Sequence, residues 1–179
     1  MKTSSRALLL LDVDGPLNPF DVQPRSCPTG YASHMLKPRN WIDMHGGDPE
    51  QAPLLRVDLN PAHGPALTAL PFELVWATSW MDEANAMIGP VVGLPRLPYI
   101  DWGEGLFARD PDGLHWKTRA LVAYAAGRPF VWVDDEPGDR DREWVAEHHG
   151  GPALLHTVSA ERGLDEEDFA VLREWAAGL

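Results

Sequence analysis

The sequence predicts an α/β domain built on a mostly parallel sheet with helices on both faces. Three observations carry this expectation. Short apolar runs of strand length, Leu8 to Leu11, Phe72 to Ala77 and Phe130 to Val133, lack the in-out alternation of a half-solvated strand, as strands covered on both faces do. Stretches of helical character separate these runs once residue 60 is passed, which is the spacing of crossover units rather than of hairpins. Each run also ends in polar residues, and an open parallel sheet gathers strand ends along one rim.

The first strand, Leu8 to Leu11, runs into Asp12-Val13-Asp14-Gly15-Pro16-Leu17-Asn18-Pro19, where Gly and Pro force an immediate bend. Two aspartates this close repel each other, and a bound cation or proton would compensate them. Asp12 and Asp14 are therefore candidate metal-site residues, although Asp-x-Asp-Gly taken alone also fits a polar turn or a fragment of a calcium loop.

From Asn18 to about Asn60 the periodicity is lost and Pro, Gly and His accumulate. A connection this long inside one domain reads as a flap or small insert. Within it Leu54 to Asn60 partly alternates and suits one arm of a β-hairpin. Arg25, Lys37, Arg39 and Trp41 are candidates to touch a substrate, with ordinary solvated loop positions as the alternative.

Pro61 to Leu70 suits a short helix with Asn60 as N-cap and Pro61 in its first position. The strand Phe72 to Trp80 follows, ending in Thr78 and Ser79, hydroxyls that can donate to a phosphate oxygen or cap the next helix, Met81 to Ile88. Gly89 and Pro90 are expected to end that helix, and Leu97 to Ile100 is a candidate short strand. His115 to Ala126 reads as a helix closed by Gly127. Lys117 falls in its first turn, where a cation opposes the helix dipole unless an anion lies nearby.

Phe130 to Val133 then leads into a second acidic cluster, Asp134-Asp135-Glu136. A helix from Asp139 to His149, a strand from Ala153 to Val158 and a final helix from Asp165 to Ala177, capped by Asp165, complete the chain. Leu164, Phe169, Leu172 and Trp175 recur at helical spacing and mark the packing face of the last helix. Of the eight tryptophans, Trp76, Trp132, Trp144 and Trp175 lie within expected strands or helices, whereas Trp41, Trp80, Trp102 and Trp116 lie near rim segments and are candidates to wall a pocket.

At 179 residues the chain is long enough for one domain carrying the 18–60 insert. No apolar run approaches the roughly 20 residues of a membrane span, and Met1 to Arg6 leads straight into the first strand rather than into a signal peptide. A soluble cytoplasmic protein is expected. The single cysteine, Cys27, excludes an intramolecular disulfide, and the histidines form no zinc-binding spacing. A formal charge of −12 argues against broad attachment to nucleic acid or anionic membrane, so a phosphate-bearing substrate would need a local cation.

With these residues in place, the chain resembles the haloacid dehalogenase superfamily of phosphohydrolases. The four motifs of that family occur in order: a strand ending Asp12-x-Asp14-Gly15, a strand ending Thr78-Ser79, Lys117 at a helix start, and a strand ending Asp134-Asp135. The resemblance covers Leu8 to about Val158. The opening Leu-Asp-Val-Asp-Gly-x-Leu-Asn-Pro is also similar to the domains of this superfamily attached to Swiss-army-knife RNA repair proteins. One departure is Pro16, where the family usually has Thr or Val; proline donates no backbone hydrogen bond, so the turn must be closed differently.

The resemblance implies a Rossmann-like strand order, a flap after the first strand, and no large second cap between Trp80 and Lys117. It implies a Mg²⁺-dependent phosphatase acting on a phosphate monoester, with Asp12 as nucleophile and Asp14 as general acid and base. Thr78, Ser79 and Lys117 would bind the phosphoryl group. Mg²⁺ would be held by Asp12, the main-chain carbonyl of Asp14 and Asp135, with Asp134 supporting it from behind. Dehalogenases of this fold have no need of the acid at Asp14, so its presence favours phosphate esters. A small phosphorylated substrate is the leading expectation; a 3'-phosphorylated nucleic-acid end and a catalytically silent scaffold are the alternatives.

Overall fold

The structure is a computed structural model and describes residues 6–20 and 26–179. The leader reading of residues 1–5 and the substrate contact expected of Arg25 lie outside the described residues.

The four leucines of β1 (Leu8–Leu11) are fully buried. Burying each contributes on the order of 1.5–3 kcal/mol, which holds the strand in place despite the repelling carboxylates at its end. β1 lies in the middle of a four-stranded sheet with β4 (Glu73–Trp76) on one side, β5 (Phe130–Asp134) on the other, and β6 (Ala153–Thr157) beyond β5. All three pairings are parallel, with Leu11 opposite both Trp76 and Val133. The four strand ends therefore share one rim.

The connections carry α2 (His63–Thr68), α3 (Glu83–Met87), α4 (Gly89–Val92), α5 (Thr118–Ala125), α6 (Asp139–His148) and α7 (Glu166–Ala177). Leu9 and Leu11 pack into a core with Leu67, Ile88 and Leu172 from α2, the α3–α4 junction and α7. Leu8 and Leu10 pack into a second core with Leu121 of α5 and Val145 of α6. Successive strand residues face opposite ways, so the leucine run needs an apolar layer on each side, and helices supply both. The protein is α/β with an all-parallel, Rossmann-like sheet.

Between β1 and α2 lies an antiparallel pair, β2 (Ala32–Leu36) with β3 (Leu55–Leu59), whose strands are joined across α1 (Arg39–Met44) rather than by a tight turn. Leu54 to Asn60 is thus one arm of a pair, as expected. Val57 and Leu59 are fully buried in the first core and root the insert.

Several boundaries differ from expectation. The helix expected over Met81 to Ile88 is α3, which stops at Met87, just before Gly89 as expected; the difference is that Gly89 and Pro90 also open α4, where proline is tolerated because the first helical N–H has no partner in any case. This second short helix stops at Gly93, at φ 84°. Leu97 to Ile100 makes only a one-residue parallel bridge, Tyr99 to Trp76, because β4 ends there. The helix expected over Pro61 to Leu70 starts at His63; Asn60 still accepts the Ala62 N–H at 2.9 Å. Lys117 occupies the N-cap position of α5, and Ala126 turns left-handed at its end, one residue before Gly127. Asp165 caps α7, accepting the Glu167 and Asp168 N–H groups. Among the described residues no helix is long and apolar enough to cross a membrane.

Candidate active site

Asp12 and Asp134 stand at the ends of adjacent strands, and the Lys117 ammonium lies between them. It meets Asp12 Oδ2 at 2.8 Å and Asp134 Oδ2 at 2.7 Å, with all three side chains buried. The cation at a helix start, unfavourable by position alone, has its anions here. Burial disfavours the Lys117 charge, but the two carboxylates outweigh it and raise its pKa. The ammonium also sits 5.3 Å from the centre of the Trp116 ring.

Lys117 is held from behind by Asp141, which the sequence alone did not mark. One Asp141 oxygen accepts the His115 N–H at 2.8 Å and the Thr118 hydroxyl at 2.6 Å, on either side of Lys117; the other accepts the Gly138 N–H at 2.9 Å. One carboxylate thus ties the start of α5 to the start of α6.

Asp134 has its oxygens occupied by donors: Lys117 and the Trp132 indole at Oδ2, and the Glu136 N–H at Oδ1. It is fully buried. Asp135 is half-buried at the rim, and Gly15, at φ 90°, makes room for it: a methyl group at that position would stand 2.5 Å from Asp135 Oδ1. Carboxylate oxygens of Asp12, Asp134 and Asp135 lie within 4.8 Å of one another. An all-oxygen donor set of this kind suits a hard divalent cation.

The electrostatics fit such an ion. Burial, opposed by Lys117, raises the Asp12 carboxyl well above the ordinary range. Burial and then the Asp134 charge push Asp135 up to about 7. A carboxylate raised in the folded state gives stability that is full below its unfolded pKa of about 3.9 and is lost as pH climbs through the folded value. The cation-free protein should therefore lose stability between about pH 4 and 7, and a cation should restore more of it where Asp135 is ionised. In a thermal-shift titration Mg²⁺ should raise Tm more at pH 8 than at pH 6. Equal shifts at both would count against a site at these carboxylates.

Asp14 stands apart from that cluster. Its Oδ1 accepts the Asn18 amide at 2.7 Å and its Oδ2 the Trp80 indole N–H at 2.9 Å. Burial raises its pKa, and these two bonds partly oppose the shift. Asn18 also accepts the Asp58 N–H at 2.9 Å, linking the acid to β3 of the insert. The turn containing Pro16 closes without that residue's N–H: Gly15 donates to Asn18 O at 3.0 Å, Leu17 and Asn18 donate to Val13 O at 2.9 Å, and Pro16 O accepts the Leu164 N–H at 2.8 Å.

A cleft of about 420 Å³ reaches Asp12, Asp14, Ser79, Lys117 and Asp135. Thr78 does not line it. Thr78 is fully buried; its hydroxyl is 3.4 Å from the Trp80 N–H and its carbonyl accepts the Trp102 indole at 2.9 Å. Of the two residues expected at the phosphate, Ser79 is the one that lines the cleft.

Trp41, Trp80 and Trp116 line the cleft, whereas Trp102 supports Thr78 and packs edge-on to Trp116. Among the other described insert candidates, Lys37 donates to Pro49 O at 2.6 Å and Arg39 uses its N–H on Glu83, and neither lines the cleft. Arg56, which the sequence did not single out, does line it and bonds Asp58 at 3.1 Å.

Comparison with family models, with curated proteins and with solved structures finds no match to this chain.

Proposed function

We propose that the protein is a phosphohydrolase of the haloacid dehalogenase type, a Mg²⁺-dependent phosphatase that cleaves phosphate monoesters through an aspartyl-phosphate intermediate. The observation that carries this reading is the division of labour between two carboxylates two residues apart. Asp12 shares a buried lysine and an acidic cluster, while Asp14 is held separately by Asn18 and Trp80 and faces the same cleft. Side chains two apart with such different surroundings suit different proton tasks.

In this reading an Asp12 oxygen attacks phosphorus and the bond to the leaving oxygen breaks. Asp14, its pKa raised by burial, gives that oxygen a proton, then takes one from the water that cleaves the aspartyl phosphate. Lys117 balances the negative charge around the transferred group, and Ser79, backed by Thr78, donates to its oxygens. Asp12 and Asp135, with the Asp14 main-chain carbonyl and with Asp134 behind them, would hold Mg²⁺, which screens the anionic nucleophile from the anionic phosphate when bound. Asp14 also favours phosphate esters over carbon–halogen bonds, whose cleavage needs no such acid.

Among the described residues lining the cleft, Lys117 and Arg56 are the basic ones, against Asp12, Asp14, Asp135 and Glu136. That balance supports a substrate with one phosphate over a polynucleotide end, whose neighbouring phosphates would need further cations. The charged residues converging on one rim support turnover over a silent scaffold, since packing alone requires none of them.

The test is phosphate release from a panel of sugar phosphates, nucleotides, aryl phosphates and 3'-phosphorylated oligonucleotides. Release that requires Mg²⁺ and stops with a chelator is the expected result. Metal binding without release from any of them would overturn the enzymatic reading, and preference for the oligonucleotides would overturn the small-substrate one.

A further inference from the structure

We infer that the phosphate ester taken by this cleft carries a flat aromatic or heteroaromatic group rather than a sugar alone; the inference rests on the phosphatase reading above and names its substrate class.

The walls of the cleft are rich in aromatic and apolar side chains. Phe20, Trp41, Met44, Phe107 and Trp116 line it together with the carboxylates. Phe20, Met44 and Phe107 are 40%, 69% and 54% exposed, and they are three of the nine large apolar side chains that stand exposed among the described residues. Single exposed apolar residues are ordinary, but three meeting at one charged cleft form a patch that asks for a ligand. They come from separate segments: Phe20 follows the Asp12–Pro19 turn, Met44 ends α1, and Phe107 precedes α5.

The aromatic side chains are also held in place. Phe107 adopts φ 57°, a left-handed conformation that is costly for a bulky residue. In that conformation its ring meets Trp116 at 5.1 Å and 61°, and Trp116 meets Trp102 at 4.9 Å and 76°. On the insert side, the Trp41 indole donates to Pro53 O at 2.8 Å and packs on His45 at 4.1 Å. Rings fixed by neighbours while remaining accessible present π faces at little further cost in ordering.

The polar residues of the walls outside the catalytic cluster are largely committed to the protein: Asn18 to Asp14 and Asp58, Asn40 to Ser79 O at 3.2 Å, Arg56 to Asp58 and Glu136 to His115 at 2.7 Å. Hydroxyls enclosed by these walls would lose water without gaining partners, whereas a ring would bury its faces against Trp41, Phe107 and Trp116. The volume, about 420 Å³, falls in the range of small-ligand pockets.

The experiment compares two matched pairs in the presence of Mg²⁺: benzyl phosphate against cyclohexylmethyl phosphate, and a nucleoside 5'-monophosphate against ribose 5-phosphate. Each pair shares a primary-alcohol leaving group, so the reactivity of the ester is held nearly constant and the ring is what changes. The aromatic member of at least one pair should show a KM about tenfold lower with kcat within about threefold. Trp41→Leu and Phe107→Leu should shrink that ratio towards one. Equal KM values within both pairs, or a ratio untouched by both substitutions, would overturn the inference while leaving the phosphatase intact. If none of the four esters is hydrolysed, the phosphatase reading is decided by the wider panel above, and calorimetric titration of the same pairs decides the cleft: binding of the aromatic members alone sustains the inference, and its absence overturns it.

Discussion

Asp12→Asn protein should lose turnover by a factor of about 10⁴ or more, the scale seen when a covalent nucleophile is removed, and should do so without unfolding. The Asp12 Oδ1 accepts the Val13 N–H at 2.8 Å, a bond the asparagine carbonyl can keep. Lys117 loses one anion but retains Asp134 at 2.7 Å. Burial already disfavours the Asp12 charge, so removing that charge offsets much of the lost ion pair. Stability should stay within about 1 kcal/mol of wild type in urea unfolding. Metal-dependent phosphate release surviving in this variant would remove Asp12 from the role of nucleophile.

Lys117→Ala is expected to be the opposite kind of variant, inactive and unstable together. It leaves the Asp12 and Asp134 carboxylates buried beside each other with no cation between them, and breaking a buried pair in this way costs about 3–5 kcal/mol. The defect should depend on pH in a definite direction. In wild type the lysine's raised pKa makes its contribution constant well below about pH 10. In the variant the Asp12 carboxyl, already raised by burial, loses the Lys117 charge that opposes that shift and is pushed further up, and stability from such a group is present at low pH and lost as pH rises through its folded value. The gap to wild type, measured by urea unfolding without added metal, should widen from pH 5 to pH 8. Lys117→Met, which fills the volume without the charge, should show the same pH trend with a smaller cavity penalty. A gap independent of pH would mean that packing, not charge, is what Lys117 supplies.

The residues that bring charge to the rim were legible because each follows an apolar run. Once Leu8 to Leu11 and Phe130 to Val133 are read as strands of one parallel sheet, Asp12 and Asp134 fall on the same rim, and a lysine at a helix start can join them there. What the sequence could not expose is how each charge is held. Trp80 was readable as a pocket wall, but that its indole N–H reaches Asp14 across 66 positions depends on where the chain turns after β4. Asp141 is an acid in the first turn of α6, and its grip on His115 and Thr118 appears only once α5 and α6 are packed. Asn18 sits in the quoted motif, yet its link to Asp58 belongs to the insert, whose strands have too little periodicity to be paired in advance.

The same limit explains the boundary errors. Proline at residue 90 is compatible with a helix start as well as a helix stop, and local rules do not choose between them. Thr78 and Ser79 are alike in chemistry and adjacent in sequence; which one faces the cleft is decided by burial at the end of β4, a tertiary outcome.

The strand order β4-β1-β5-β6 bears on how the molecule is assembled over time. β1 has no local partner: its neighbours begin at residues 73 and 130, so its ladder closes only across loops of roughly 60 and 120 residues. Long-range parallel pairing delays folding, because loop-closure entropy must be overcome before contacts form. During synthesis, four consecutive leucines must therefore wait unpaired until β4 has been made, and with one edge open until β5 follows, an apolar segment open to misassociation in the meantime. The rim that brings Asp12 beside Asp134 is thus among the last features to form, and the segment carrying Asp12 is the one most in need of protection until then.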